Sequence, residues 1–224
     1  SVWIWNRITR KSTRFEGHRN WIRSVSWSPD GRHLASGSDD NTIRIWPEFD
    51  DVGTPIVVEV AKHNYPPVTS PRDSEPPETT DPVEATVATP LSAFTGKVEG
   101  HSATVTAVSW SPVGSRYASG SYDDTIGIWN AATGELEQTL KGHTQSVHSV
   151  SWSPDGRQLA SGSWDNTIGI WNAATGKREQ TLRGHTNVVR SVSWSPDGRR
   201  LASGSYDDTI GIWNAATGER EQTL

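Results

Sequence analysis

Cysteine and methionine are both absent from the 224 residues. Without cysteine there is no disulfide framework, no thiol nucleophile and no thiolate metal ligand, which fits an intracellular, cytoplasmic setting. The missing methionine includes position 1, so the chain reads as processed, tagged or excised. No apolar run approaches the roughly 20 residues of a membrane-spanning helix, and no signal peptide opens the chain, so no membrane partner is expected. No Asn-x-Ser/Thr acceptor occurs. Hydrophobic residues make up only 33%, a deficit offset by twelve Trp, each of which can bury a large apolar area. The net charge of −5 argues against nucleic acid as a partner.

What is present is repetition. The stretch GHTQSVHSVSWSPDGRQLASGSWDNTIGIWNAATGKREQTL, residues 142–182, returns almost verbatim at 184–224 and less perfectly at 100–140. Gly-His pairs recur every 42 residues, and a diverged copy runs over 17–46. Within a unit every signal is β. VHSVSWSP alternates apolar and polar residues, and Pro154-Asp155-Gly156 supplies a tight turn. RQLASGS and TIGIW read as further strands, separated by an Asp165-Asn166 turn. After a second turn at NAATG, KREQTL is a polar fourth strand suited to a sheet edge.

Four short antiparallel strands with a leading Gly-His and a strand-ending Trp resemble the blade of the WD-repeat (WD40) β-propeller family. The resemblance implies an all-β fold, a propeller or part of one, with about 42 residues per four-stranded blade. Residues 1–16 are similar to the third and fourth strands of a preceding blade. The signature Trp is present in every unit, but its Asp is replaced by Asn6, Asn130, Asn172 and Asn214, and by Pro47 in the first full unit. Near-identical repeats of this kind are similar to arrays in fungal and bacterial NACHT-type signalling proteins.

Residues 47–99 interrupt the array. They hold ten acidic and three basic residues (net −7), nine of the thirteen Pro and no Trp, while the remainder of the chain is +2. The centre, Tyr65 to Pro82, reads as disordered, and Ser70-Pro71 and Thr89-Pro90 are candidate proline-directed phosphorylation sites. The segment exceeds the usual inter-repeat spacing by about one repeat. One reading is a long loop with SAFTGKVEG as a delayed fourth strand; the other is a degenerate blade opened by His63, after PIVVEV closes the first. WD-repeat propellers usually have seven blades, which needs about 290 residues at this period. The chain therefore reads as a piece of a longer array, or as part of a ring completed by another copy.

Each unit carries a His, a Ser, an Asp and a Trp: His18, Ser36, Asp40, Trp46; His101, Ser119, Asp123, Trp129; His143, Ser161, Asp165, Trp171; and His185, Ser203, Asp207, Trp213. A Ser/His/Asp grouping invites a hydrolase reading. Its fourfold recurrence argues for structure instead, and the resemblance implies a tetrad running from the indole N–H through Ser and His to Asp. No catalytic residue, metal site or cofactor is expected, since no His cluster of metal-binding spacing accompanies these residues.

Against this frame three positions vary in character. They are Trp21, Thr104, Ser146 and Val188; Arg23, Thr106, His148 and Arg190; and Asp39, Tyr122, Trp164 and Tyr206. In propellers similar to the G-protein β subunit these positions surround the channel on the top face and contact partners. Large aromatics interleaved with Arg on polar turns have the composition of an interface hot spot, and His148 is expected as an exposed polar contact. The sequence therefore predicts a non-catalytic scaffold or sensor module recognising a protein or peptide. The alternative is a self-assembling repeat unit, and an enzyme lacks any unique acid, base or nucleophile.

Overall fold

The computed structural model describes residues 1–5, 10, 12–46 and 95–224. The Pro-rich segment 47–94, with both candidate phosphorylation sites, PIVVEV and His63, lies outside the described residues, as does Asn6. The described residues form strands and turns and no helix, so none is long and apolar enough to cross a membrane.

The strands assemble blade by blade. β1 (Val2–Trp5) and β2 (Ser12–Phe15) make a two-stranded sheet. The first full blade is β3 (Ile22–Trp27), β4 (Leu34–Ser38), β5 (Ile43–Trp46) and β6 (Gly96–Val98). The second is β7 (Val105–Trp110), β8 (Arg116–Ser121), β9 (Ile126–Asn130) and β10 (Leu136–Leu140). The third is β11 (Val147–Trp152), β12 (Gln158–Ser163), β13 (Ile168–Asn172) and β14 (Arg178–Leu182). The fourth is β15 (Val189–Trp194), β16 (Arg200–Ser205), β17 (Ile210–Asn214) and β18 (Arg220–Thr223). Each is an antiparallel meander in chain order, and β6 pairs with β5 through Ile43↔Val98 and Arg44↔Lys97.

The turns follow from their residues. Gly156 takes φ +70°, and its N–H closes on the Ser153 carbonyl at 2.9 Å, the left-handed position that glycine occupies without steric cost. Asn172 explains the departure from the Trp-Asp signature. Its side-chain oxygen accepts the N–H groups of Ala174 and Thr175 at 3.0 Å each, as a carboxylate would. Its amide nitrogen also donates to Glu179 at 2.9 Å, which an Asp could not do. Asn130 with Glu137, and Asn214 with Glu221, repeat the pair.

The core lies between blades. Ala35, Ile43, Ile45 and Val98 on the forward face of the first blade meet Val105, Val108, Trp110, Tyr117 and Trp129 on the rear face of the second. The next two interfaces repeat this arrangement. The second-strand glycines of the first three blades, Gly37, Gly120 and Gly162, are required by the closeness of this contact: a Cβ on Gly162 would stand 2.8 Å from Val189 Cγ1 and 3.0 Å from its carbonyl oxygen. Among the described residues none packs on the forward face of the fourth blade. Ile210 is 47% exposed where Ile126 and Ile168 are 0%, and a Cβ on Gly204 would meet only Ser191 Cβ at 4.0 Å. At the other end, Val2 and Ile4 cover Leu34 and Trp46.

Candidate interaction face

The four His/Ser/Asp/Trp groups are assembled with nearly identical geometry. The indole Nε1 of Trp46, Trp129, Trp171 and Trp213 donates to the Ser Oγ at 2.7–2.8 Å. That oxygen lies 2.7–2.8 Å from the His Nε2, and the His Nδ1 lies 2.8–2.9 Å from the Asp Oδ2. A carboxylate only accepts, so Nδ1 carries the proton, Nε2 accepts the Ser hydroxyl, and the Ser oxygen accepts the indole. The chain of donors has one consistent direction. Ser36, Ser119, Ser161 and Ser203 are buried, and each hydroxyl is committed on both sides.

The Asp is the hub of a larger turn. In the third blade, Asp165 Oδ2 also accepts from the Thr144 N–H at 3.1 Å, and Oδ1 accepts from the Thr167 hydroxyl at 2.6 Å and its N–H at 3.0 Å. Burial on its own would raise the Asp165 pKa. The hydrogen bonds from His143, Thr167 and Thr144 overcome this and hold it well below the usual carboxylate range; Asp40, Asp123 and Asp207 behave alike. For His18, burial outweighs Asp40 and lowers the pKa. The threonine was not anticipated from the sequence. Its signal was there, since Ser-Gly-Ser-x-Asp-x-Thr recurs in all four units. Also unforeseen were Arg178 and Arg220, whose guanidinium groups lie 5.2 and 5.3 Å from the Trp171 and Trp213 rings.

The three variable positions converge at one end of the blades. The N–H groups of Asp39, Tyr122, Trp164 and Tyr206 donate to the carbonyls of Trp21, Thr104, Ser146 and Val188 at 2.9–3.0 Å, which sets these pairs side by side. The third position falls where the register between first and second strands slips, between Ile22 and Ser24, Val105 and Ala107, Val147 and Ser149, and Val189 and Ser191. Arg23, Thr106, His148 and Arg190 are therefore bulge residues, and a bulge re-aims its side chain.

Contacts run across the blades as a continuous strip. Arg23 Nε donates to Asp39 at 2.6 Å and its guanidinium lies 5.4 Å from the exposed Trp21 ring. The ion pair lowers the Asp39 pKa. The Thr106 hydroxyl, 2.5 Å from the Val147 carbonyl, ties the second blade to the third. His148 lies between Tyr122 (5.3 Å, edge-on) and Trp164 (5.6 Å). Arg190 Nη1 donates to His148 Nδ1 at 2.8 Å while its guanidinium lies 5.1 Å from Tyr206. Trp21, Tyr122, Trp164 and Tyr206 present exposed aromatic surface along this line.

Two expected contact residues are corrected. His148 is 8% exposed and Val188 4%, so neither is available to a partner. The bulge turns His148 into the gap between two aromatic rings, and Val188 is drawn in beside Val189. Burial and the adjacent Arg190 push the His148 pKa down to about 4, so the imidazole is a neutral spacer supporting the strip. Thr106 spends its hydroxyl on the Gly120 and Val147 carbonyls. Among the described residues no group of three or more His, Asp or Glu is placed to hold a metal ion.

Comparison with known proteins agrees with this architecture. The profile of the family described as "WD domain, G-beta repeat" matches residues 9–47, 92–130, 134–172 and 176–214. Each match takes the outer strand of one blade with the first three strands of the next. The chain is 50% identical over 44 residues to Lissencephaly-1 homolog 1 of Paramecium tetraurelia, covering 19% of the chain and 11% of that protein. It is 41% identical over 63 residues to apoptotic protease-activating factor 1 of Danio rerio (28% and 5%). It is 34% identical over 113 residues to the probable cytosolic iron-sulfur protein assembly protein 1 of Mycosarcoma maydis (50% and 23%). The matched segments span less than a quarter of each of these relatives. With four family matches covering well over half its length, on four-stranded blades each closed by a Trp-Ser-His-Asp tetrad, the chain belongs to the WD-repeat family.

Proposed function

We propose that the protein is a non-catalytic interaction scaffold or sensor that recognises a protein or peptide through the aromatic strip. The supporting observation is the exposure of Trp164 and Tyr206, together with Trp21 and Tyr122, on a frame that otherwise scarcely varies between repeats. Aromatics stacked on Arg at a rigid surface are the residue types that dominate binding energy. Four equivalent buried tetrads support a structural role for Ser, His and Asp, because a single active site has no use for four copies. The varied printed names of the relatives fit a shared scaffold put to different uses. Cytoplasmic signalling, with partners exchanged by changing strip residues, is part of this reading.

The test is selection from a displayed random-peptide library by the immobilised protein and by its Trp164→Ala/Tyr206→Ala variant. The reading expects wild type to enrich a defined motif and the variant to lose it while melting at the same temperature. Equal enrichment by both refutes it.

A second reading, self-association, is favoured by the uncovered forward face of the fourth blade, where Ile210 and Leu224 are exposed. A head-to-tail contact between copies would cover it, as a heterologous interface. Light scattering across a range of concentrations distinguishes the two: a rising mass abolished by Ile210→Asp supports assembly, and a constant monomer mass refutes it.

A further inference from the structure

Two blades carry arginine at the bulge position, and they use it differently. Arg23 and Arg190 both stand five residues after the repeat His, at the slipped register of the first and fourth blades. In the first blade the guanidinium is neutralised from within. Its Nε donates to Asp39 Oδ1 at 2.6 Å and its Nη2 to Oδ2, so one edge clamps both oxygens of a carboxylate. The planar guanidinium fork matches a carboxylate in this two-pronged way. In the fourth blade the residue equivalent to Asp39 is Tyr206, and the carboxylate is missing.

Arg190 is nevertheless held in place. Its guanidinium lies 5.1 Å from the Tyr206 ring, and its Nη1 donates to His148 Nδ1 at 2.8 Å. These contacts leave the Nε/Nη2 edge unused, the same edge with which Arg23 holds Asp39. Arg190 is exposed and makes no ion pair among the described residues. Because His148 Nδ1 accepts from Arg190, its ring proton is on Nε2, which is buried and has no acceptor. This end of the strip therefore carries uncommitted donors and one uncompensated positive charge, whereas the Arg23 end is already neutral.

We propose that the partner recognised by the strip is an acidic peptide, one Asp or Glu of which places its carboxylate on the Nε/Nη2 edge of Arg190. This rests on the aromatic strip being the recognition surface. The Arg23–Asp39 pair is the internal template, with the ligand supplying the carboxylate that Tyr206 does not. An ion pair left open to water adds little. Here Tyr206 and Trp164, 58% and 50% exposed, flank Arg190 and His148. A peptide laid over both rings shields the pair from water and makes it selective. A phosphate group would draw on a cluster of cations. Arg23 is spent on Asp39, and His148 is neutral at physiological pH, so the single fork fits a monoanionic carboxylate.

The test begins with the peptides that the wild-type protein selects from a displayed random library. A shared Asp or Glu is expected. A motif with no acidic position overturns this inference and leaves the strip as the recognition surface; no motif at all overturns both. The selected peptide, and the same peptide with the acid replaced by its amide, are then titrated against wild type and Arg190→Gln. Each change alone should weaken binding about tenfold, and the two together scarcely more. Strictly additive losses overturn the fork assignment. A second pair of variants fills the fork from within: Tyr206→Asp copies the Arg23–Asp39 arrangement, and Tyr206→Asn is its uncharged control. Both remove the ring, so the acidic peptide should bind Tyr206→Asp about tenfold more weakly than Tyr206→Asn. Equal affinity overturns the proposal. Arg190 and Tyr206 are exposed, and matched melting temperatures assign the losses to binding. A phosphoserine form binding tenfold more tightly than the acidic peptide would give the fork to phosphate and overturn the carboxylate.

Discussion

Replacing Ser161 by alanine removes one oxygen atom from the centre of the third blade and leaves its packing volume almost unchanged. That oxygen accepts the Trp171 indole N–H at 2.7 Å and donates to His143 Nε2 at 2.7 Å. Both partners are buried, Trp171 at 1% exposure, so no water replaces the lost atom. A buried group left without its partner costs about 1–3 kcal/mol, so orphaning two predicts a loss of about 3–4 kcal/mol. For a chain of this size that corresponds to a fall in melting temperature of roughly 8–15 °C. The assay is urea and thermal unfolding followed by tryptophan fluorescence, with the cycle Ser161→Ala, Trp171→Phe and the double variant. In the Phe background the indole donor is already gone, so Ser161→Ala should cost less by about 1 kcal/mol or more. A loss below about 1 kcal/mol, or strictly additive effects, would refute the claim that the tetrad is a coupled buried network.

Gly162→Ala drives a Cβ to within 2.8 Å of Val189 Cγ1 and 3.0 Å of its carbonyl oxygen, and should destabilise by about 1–3 kcal/mol; Gly204→Ala, with only Ser191 Cβ at 4.0 Å, should be near neutral, and urea midpoints compare the two. Asn172→Asp keeps the turn acceptor but sets a second carboxylate against Glu179, so it should lower the melting temperature at pH 7 and recover part of the loss near pH 4–5. Below about pH 7 stability should fall in two stages. First, His148, at about 4 against 6.5, and His18, also lowered, stay neutral when folded. The unfolded chain takes up their protons below about pH 6.5, so stability declines towards pH 4, and His148→Leu should flatten part of this decline. Second, the tetrad carboxylates contribute fully above the unfolded value near 4, a contribution lost as the pH falls further; urea titrations at pH 7, 5 and 3.5 separate the stages.

Much of this was legible in the sequence because the repeat acts as its own control. Ser-Trp-Ser-Pro, Ala-Ser-Gly-Ser and Thr-Ile-x-Ile-Trp hold still in four copies, which exposes both the β period and the few positions that differ. The tetrad members stand at constant offsets, but it was the resemblance to the WD-repeat family, and not the spacing, that implied their hydrogen-bonded chain. The sheet register was not. A period-two reading treats residue 148 as one more alternating position, whereas the slip between Val147 and Ser149 turns it. His148 therefore lies between Tyr122 and Trp164 instead of facing solvent. The role of Gln138 was also hidden: its amide reaches the Ala173 and Ala174 carbonyls of the next blade at 3.3 Å, a contact that no local pattern encodes. Nor could composition distinguish the covered Ile168 from the identical but uncovered Ile210. That difference depends on what stands beside the blade.

The central claim is that the tetrads hold the frame while the aromatic strip recognises the partner. The most direct measurement is the affinity of a library-selected peptide for wild type and for Trp164→Ala/Tyr206→Ala, at a temperature where both are folded. Two hot-spot aromatics at about 2 kcal/mol each predict binding weaker by at least 100-fold, with melting unchanged. Affinity within about twofold of wild type would place recognition elsewhere on the molecule and contradict the account.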